Sequence, residues 1–227
     1  MKTLFTRFFA FLAAFALAGP AMAQDAAAEG EQQPARRIPI AANYDPTEDL
    51  ENLWYLDLSN GTRVTVRLVP EWAPSHVERI KELTRDGFYN GVIFHRVIDG
   101  FMAQTGDPTG TGQGGSTLPD LAEEFNQFPH VRGSVSMARA QEEDSANSQF
   151  FIVFYPRFAL DRNYTNFGRV IAGMDGVDAI ERGEPPANPT RILQASIAAD
   201  GVPQMMPQPE RPQQIITADI LSNSQSE

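Results

Sequence analysis

The sequence predicts a mainly β fold, a closed eight-stranded antiparallel β-barrel capped by two α-helices. Three observations lead there. About eight segments carry the short apolar or alternating pattern of strands. Nearly all the links between them are too short for parallel crossovers. Only two segments show helical spacing. Closing such a sheet on itself removes its exposed edges, which makes a barrel the economical arrangement.

Order is expected to begin near Leu53. Residues 53–59 and 62–69 alternate apolar and polar side chains on either side of Asn60-Gly61, the signature of a two-residue hairpin. Pro74 suits the first turn of a helix that runs to Arg85, with Val77, Ile80, Leu83 and Thr84 on one face and Gly87 as its stop. Residues 92–98 and 101–104 are β-rich runs with Asp99-Gly100 as the turn, and five glycines between 106 and 115 make the exit a loop. Further strands are expected at 134–138, 149–154, 167–171 and 191–197. Met174, Val177 and Ile180 mark a second short helix closed by Gly183. In the run 149–154, Phe151 and Val153 share one face and Phe150 and Ile152 the other. One set must fill the barrel, leaving the other for core packing or a surface groove.

The chain has 227 residues, 42% of them hydrophobic, enough for one sizeable core plus appendages. Residues 1–23 hold Lys2 and Arg7, an apolar run over 8–18, then Gly19-Pro20 and Ala21-Met22-Ala23. That order is a secretory signal peptide, with cleavage expected between Ala23 and Gln24. An uncleaved anchor is the alternative, although the run falls short of the roughly 20 apolar residues of a membrane span. The chain has no cysteine, so its stability must come from packing without disulfides. The net charge is −11, and losing Lys2 and Arg7 with the leader makes it two units more negative. Such a surface repels phosphate backbones and anionic headgroups, so neither nucleic acid nor stable membrane insertion is expected. Residues 24–50 read as a flexible linker. Residues 201–227 read as a Pro/Gln-rich tail, mostly disordered, in which 215–220 has the apolar content to dock.

Most chemical motifs fail on context. Residues 110–115, Gly-Thr-Gly-Gln-Gly-Gly, fit a dinucleotide fingerprint in letters, but Asp107-Pro108 breaks the strand before them and no helix starts before Pro119. His76, His95 and His130 lack metal-ligand spacing. No strained Gly-x-Ser-x-Gly elbow supports a hydrolase. Glu123-Glu124 is a solvated pair. No cofactor and no metal are expected. Arg96 is different, because period 2 puts it and Gln104 where they can face the same side as bulky apolar residues of the run 101–104. A guanidinium in apolar company needs partners or a job. On these residues alone, an arginine paired with a carboxylate at a barrel rim and an arginine with a chemical role both stand.

Taken together, residues 89–106 with their F-H-R-V-I-x-G-F-M-x-Q core, then Ser136-Met137-Ala138-Arg139-Ala140, Ser148-Gln149-Phe150-Phe151-Ile152 and Asn166-Phe167-Gly168-Arg169-Val170, resemble the cyclophilins, the cyclosporin-type peptidyl-prolyl cis-trans isomerases. The similarity spans about 53–198, within an isomerase domain drawn at 51–200, and is greatest to exported bacterial members. It implies an eight-stranded barrel with two capping helices and an enzyme that speeds X-Pro rotation. It also implies that Arg96 is the catalytic arginine and that Gln104 bonds the substrate backbone. Phe101, Met102, Phe151 and Leu160 would wall the proline pocket, with Ala138, Arg139 and Gln149 on the adjoining peptide surface. Tyr164 stands where many relatives carry histidine. Two departures are visible: Ala159 occupies the place of the tryptophan of cyclosporin-sensitive relatives, and loop 141–147 is about one residue longer and more acidic. Glu142, Glu143 and Asp144 suggest a preference for basic side chains upstream of the proline. The partners implied are proline-containing peptides and unfolded exported proteins, met by a monomer in the periplasm or outside the cell. A proline-peptide binding module or holdase with incidental activity, and an envelope protein attached by its tail or leader, are the rival readings.

Overall fold

The computed structural model describes residue 45 and residues 48–208. The leader at 1–23, nearly all of the 24–50 linker and the tail beyond 208 lie outside the described residues. Strands β1 (Leu53–Leu58) and β2 (Arg63–Leu68) precede helix α1 (Pro74–Arg85). Next come β3 (Arg96–Ile98), β4 (Met102–Thr105), β5 (Ser134–Met137), β6 (Phe150–Val153) and β7 (Asn166–Ala172). Helix α2 (Met174–Asp178) and β8 (Ile192–Ile197) finish the domain. The strands form one eight-stranded sheet in the order β3-β4-β6-β5-β7-β2-β1-β8, with every pairing antiparallel. It curls as a half-barrel around the main core.

Closure differs from expectation. Strands β3 and β8 end the sheet, and the chain just before each meets in a single bridge, Ile93 with Arg191. Backbone bonds from Gly91 N to Ile192 O (2.7 Å), Ile192 N to Val92 O (2.9 Å) and Phe94 N to Thr190 O (2.9 Å) flank it. No ladder continues along β3, because Val97 gives its N–H and its carbonyl to Gly183 instead, at 2.8 and 2.9 Å. The predicted strand at 92–98 begins as a strand only at Arg96, where its ladder with β4 starts opposite Gln104.

The first hairpin is also corrected. Asp57 pairs with Arg63 and Leu58 N bonds to Thr62 O at 2.9 Å, so the loop is three residues, 59–61. Gly61 is its left-handed member at φ +88, the usual chemistry of a three-residue loop. Asn60 supplies the reason: its Oδ1 accepts from Thr62 N (3.1 Å) and its Nδ2 donates to Gly176 O (2.9 Å), tying the turn to α2. Helix α1 has its expected bounds, with Pro74 in its first turn and Val77, Ile80 and Leu83 buried on the sheet. Helix α2 stops at Asp178, short of Ile180, although Ile180 remains buried.

Residues 201–208, the first part of the tail expected to be mostly disordered, are tied to the domain. Gln194 Nε2 donates to Pro203 O (2.8 Å), and Met205 N donates to Asp57 Oδ2 (2.7 Å). Asp57 is only 1% exposed, so it needs donors, and Arg63 provides two more at 2.7 and 2.9 Å. The main core packs Trp54, Leu56, Phe94, Phe150, Ile152 and Phe167 under α1. Trp54 meets Phe150 and Tyr89 edge-on, with centroids 4.9 and 5.5 Å apart.

Candidate active site

A second apolar cluster lies on the opposite face of β4 and β6. Met102, Phe151 and Val153 are buried in it, with Ile98, Phe101, Ala138, Leu160 and Tyr164 packed around them. The register explains the separation. Strand β6 pairs with β4 on one side and β5 on the other, so Phe150 and Ile152 enter the main core while Phe151 and Val153 face out. Gln104 sits beside Phe151 across the β4–β6 ladder.

This second cluster opens into a cavity of about 270 Å³ lined by Arg96, Phe101, Met102, Gln104, Ala138, Arg139, Phe151, Leu160 and Tyr164. These are all of the residues singled out from the sequence except Gln149, which lines an adjoining, more polar recess of about 500 Å³. Arg96 and Gln104 are directly paired in the β3–β4 ladder, so both occupy one lip of the cavity. Phe101 belongs to the turn between those strands rather than to β4 itself.

A continuous set of polar contacts runs along that lip. Arg96 Nε donates to Glu184 Oε2 at 2.8 Å, and Nη1 approaches Gln104 Oε1 at 3.5 Å, the limit of a hydrogen bond. Gln104 Nε2 donates to Gln149 Oε1 (2.9 Å), and Gln149 Nε2 donates to the carbonyls of Gly112 (3.1 Å) and Gly114 (2.8 Å). Arg96 therefore has a carboxylate partner and also lines the cavity.

The glycine loop that ends this run is built on Asp107. The Asp107 carboxylate accepts from the N–H groups of Thr109, Thr111, Gly112 and Gly114 and from the Thr109 hydroxyl. Burial pushes its pKa up, but the Thr109 hydroxyl and the Gly114, Thr109 and Gly112 N–H bonds outweigh that and hold it down at about 2. The loop's glycines thus fold around an internal anion.

The remaining walls have their own supports. Leu160 lies on a 3-10 turn, Phe158–Leu160, whose continuation places Tyr164 through a bond from its N–H to Leu160 O (3.1 Å). Tyr164 stands edge-on to Phe151 at 5.6 Å and beneath the Arg139 guanidinium at 5.1 Å. His130 stacks behind Phe151 at 6.4 Å, and Asp161 Oδ1 accepts from its backbone N–H and contacts its Nδ1, each at 2.8 Å. Burial lowers the His130 pKa despite the nearby Asp161 carboxylate. Phe158 and Ala159 are exposed and neither lines the cavity. Glu184, Asp107, His130 and Asp161 carry no short-range signal, since each acts on residues distant in sequence or through backbone groups. Among the described residues, no group of three or more His, Asp or Glu side chains is arranged to hold a metal ion.

The family model for cyclophilin type peptidyl-prolyl cis-trans isomerases matches residues 55–197. A probable peptidyl-prolyl cis-trans isomerase of Brucella suis is 48% identical over 168 residues, 67% of this chain and 85% of that protein. Peptidyl-prolyl cis-trans isomerase B of Bacillus subtilis is 40% identical over 131 residues, 57% of this chain and 91% of the relative. Among solved structures, cyclophilin AquaCyp293 from Hirschia baltica superposes with a TM-score of 0.63 at 30% identity, covering 68% of this chain and 77% of its own. A Cryptosporidium parvum cyclophilin type isomerase, crystallised in the presence of the dipeptide Ala-Pro, gives 0.60 at 28% identity, covering 64% of this chain and 98% of its own.

Proposed function

This chain belongs to the cyclophilin-type peptidyl-prolyl cis-trans isomerases, enzymes of X-Pro bond rotation, and we propose that Arg96 is the donor through which it works. Amide resonance resists the rotation with a barrier of about 18–20 kcal/mol, and unaided exchange takes tens to hundreds of seconds. In the twisted transition state conjugation is lost and the proline nitrogen regains a lone pair. A fixed cationic donor aimed at that nitrogen binds the twisted form better than either planar form.

The apolar walls formed by Phe101, Met102, Phe151 and Leu160 suit a pyrrolidine ring. Gln104, oriented by Gln149, takes the neighbouring peptide group while the other side of the bond turns. Ala138, Arg139, Gln149 and Tyr164 border the path of the flanking residues. A desolvated charge-assisted bond with fixed orientation is asked for about 5–7 kcal/mol, enough to bring the exchange to milliseconds. The Ala-Pro dipeptide present with the Cryptosporidium relative supports a proline dipeptide as the minimal ligand here.

The observation that carries this assignment is the register of Arg96 opposite Gln104 on the lip of an apolar cavity. Its test is an isomerisation assay on an Ala-Pro peptide comparing the chain with Arg96→Ala at equal circular dichroism. A fall in kcat/KM of about a hundredfold or more is expected, and unchanged turnover would overturn it.

The same reading extends to location and clients. Residues 1–23 serve as a secretory leader, and the released monomer assists exported proteins in the periplasm or outside the cell. The charge, apolar run and small-residue site of 1–23 support this, and N-terminal sequencing of the protein from envelope fractions should begin at Gln24. The Gly91–Phe94 backbone bonds to 190–192 support closure of the barrel just ahead of β3 and β8. Between Ala140 and Ser145, which line the recess, Glu142, Glu143 and Asp144 are all exposed, and Asp144 accepts from Glu123 N at 2.9 Å. Peptides with Lys two residues before the proline should therefore turn over faster than those with Glu at low salt, and equal rates would remove that preference.

A further inference from the structure

We infer that Glu184 is a positioning residue for the reaction, holding the Arg96 guanidinium in its working orientation from a loop docked along β3. This rests on the assignment of Arg96 as the donor.

The Arg96 side chain is 41% exposed, on a strand of three residues at the end of the sheet. An arginine in that setting has rotamer freedom that some contact must oppose if the group is to be preorganised. Gln104 at 3.5 Å is too distant to do so alone. The 2.8 Å bond from Nε to Glu184 Oε2 is the short one. It grips the guanidinium by the edge next to the side-chain stem, which fixes the plane of the fork and leaves the Nη groups for the cavity. Among the described residues Nη2 has no hydrogen-bond partner, so a substrate nitrogen would not compete for it.

The backbone delivers the carboxylate to this spot. Val97 and Gly183 form an antiparallel bridge with both hydrogen bonds made, so Glu184 falls opposite Arg96 by register. Gly183 adopts φ +148, and a Cβ there would lie 2.5 Å from the Pro186 Cα. Only glycine lets the loop come this close. The ion pair is solvent-exposed, with Glu184 at 53%, so it adds little to folding stability. Its removal should be felt in turnover more than in the fold.

The experiment compares the full chain with Glu184→Ala, Glu184→Gln, Arg96→Ala and the Glu184→Ala/Arg96→Ala double variant on an Ala-Pro peptide, separating kcat from KM. Glu184→Ala is expected to lower kcat about fivefold to tenfold, with KM within about twofold. Glu184→Gln should recover kcat to within about twofold, because the amide oxygen accepts the same Nε–H bond. In the Arg96→Ala background, Glu184→Ala should change nothing further. The Arg96 Nε–H resonance in nitrogen-15 spectra should move and broaden in Glu184→Ala and stay in place in Glu184→Gln. Unchanged or raised kcat in Glu184→Ala, or an equal loss in both backgrounds, would overturn the inference while leaving Arg96 as donor. Full activity of Arg96→Ala would instead overturn the donor assignment itself.

Discussion

Arg96 meets Glu184 through Nε and Gln104 through Nη1, two directions at once from one planar group. A lysine keeps the charge and loses the fork, so Arg96→Lys is expected to lower kcat/KM about tenfold or more in the peptide assay. A lysine variant matching the wild type would show that charge alone suffices. Asp107 governs stability from beneath the same site. Its folded pKa of about 2 lies below the unfolded value of 3.8, so its contribution is complete above pH 3.8 and is lost as pH falls through about 2. The gap corresponds to about 2 kcal/mol, which Asp107→Asn should forfeit in urea unfolding at pH 7. The pairing of Arg96 with Gln104 was legible in the sequence because both lie within one hairpin, where period 2 and a short turn fix the register. Glu184 was not, since 88 residues separate it from Arg96 and only the docking of the 183 loop brings it near.

Strand β6 sends alternate side chains into two compartments, and this makes its residues separable by experiment. Phe150 is fully buried in the main core against Trp54, so Phe150→Ala should cost about 3–5 kcal/mol of unfolding free energy, read by urea titration. Phe151→Ala opens onto the cavity, and its loss should show chiefly as weaker substrate binding, a raised KM with a smaller stability cost. Equal effects of the two changes would contradict the division. Elements with local signals were read correctly: α1 keeps its bounds because Pro74 and Gly87 punctuate it in sequence. Elements settled by distant partners were not. The hairpin at 59–61 gains a residue because Asn60 is committed to α2, and β3 begins only at Arg96, since residues 91–94 bond to 190–192 outside the β4 ladder.

Across the whole molecule, all three histidines are buried and all titrate below their ordinary value. Burial is the leading cause at His76, His95 and His130, outweighing Glu124 at the first, Asp107 at the second and Asp161 at the third. With an unfolded value near 6.5, their joint contribution is complete above that pH and is lost as pH falls through the depressed folded values. Tm should therefore be lower at pH 5 than at pH 7.5 in calorimetric scans, and a flat profile would contradict this. The segment 201–208 is the other molecule-wide tie, since it satisfies the buried Asp57. A chain ending at Asp200 should be about 1–3 kcal/mol less stable than one ending at Gln208, because the Asp57 carboxylate loses a donor while still buried. The strand count was legible from spacing, whereas this tie depends on a backbone N–H, which no residue type announces. Strand β6 also sets a limit for anyone engineering a hardier version of the enzyme. With interior and socket on opposite sides of one four-residue ribbon, a bulkier graft at Phe150 or Ile152 would tilt Phe151 and trade speed for heat tolerance.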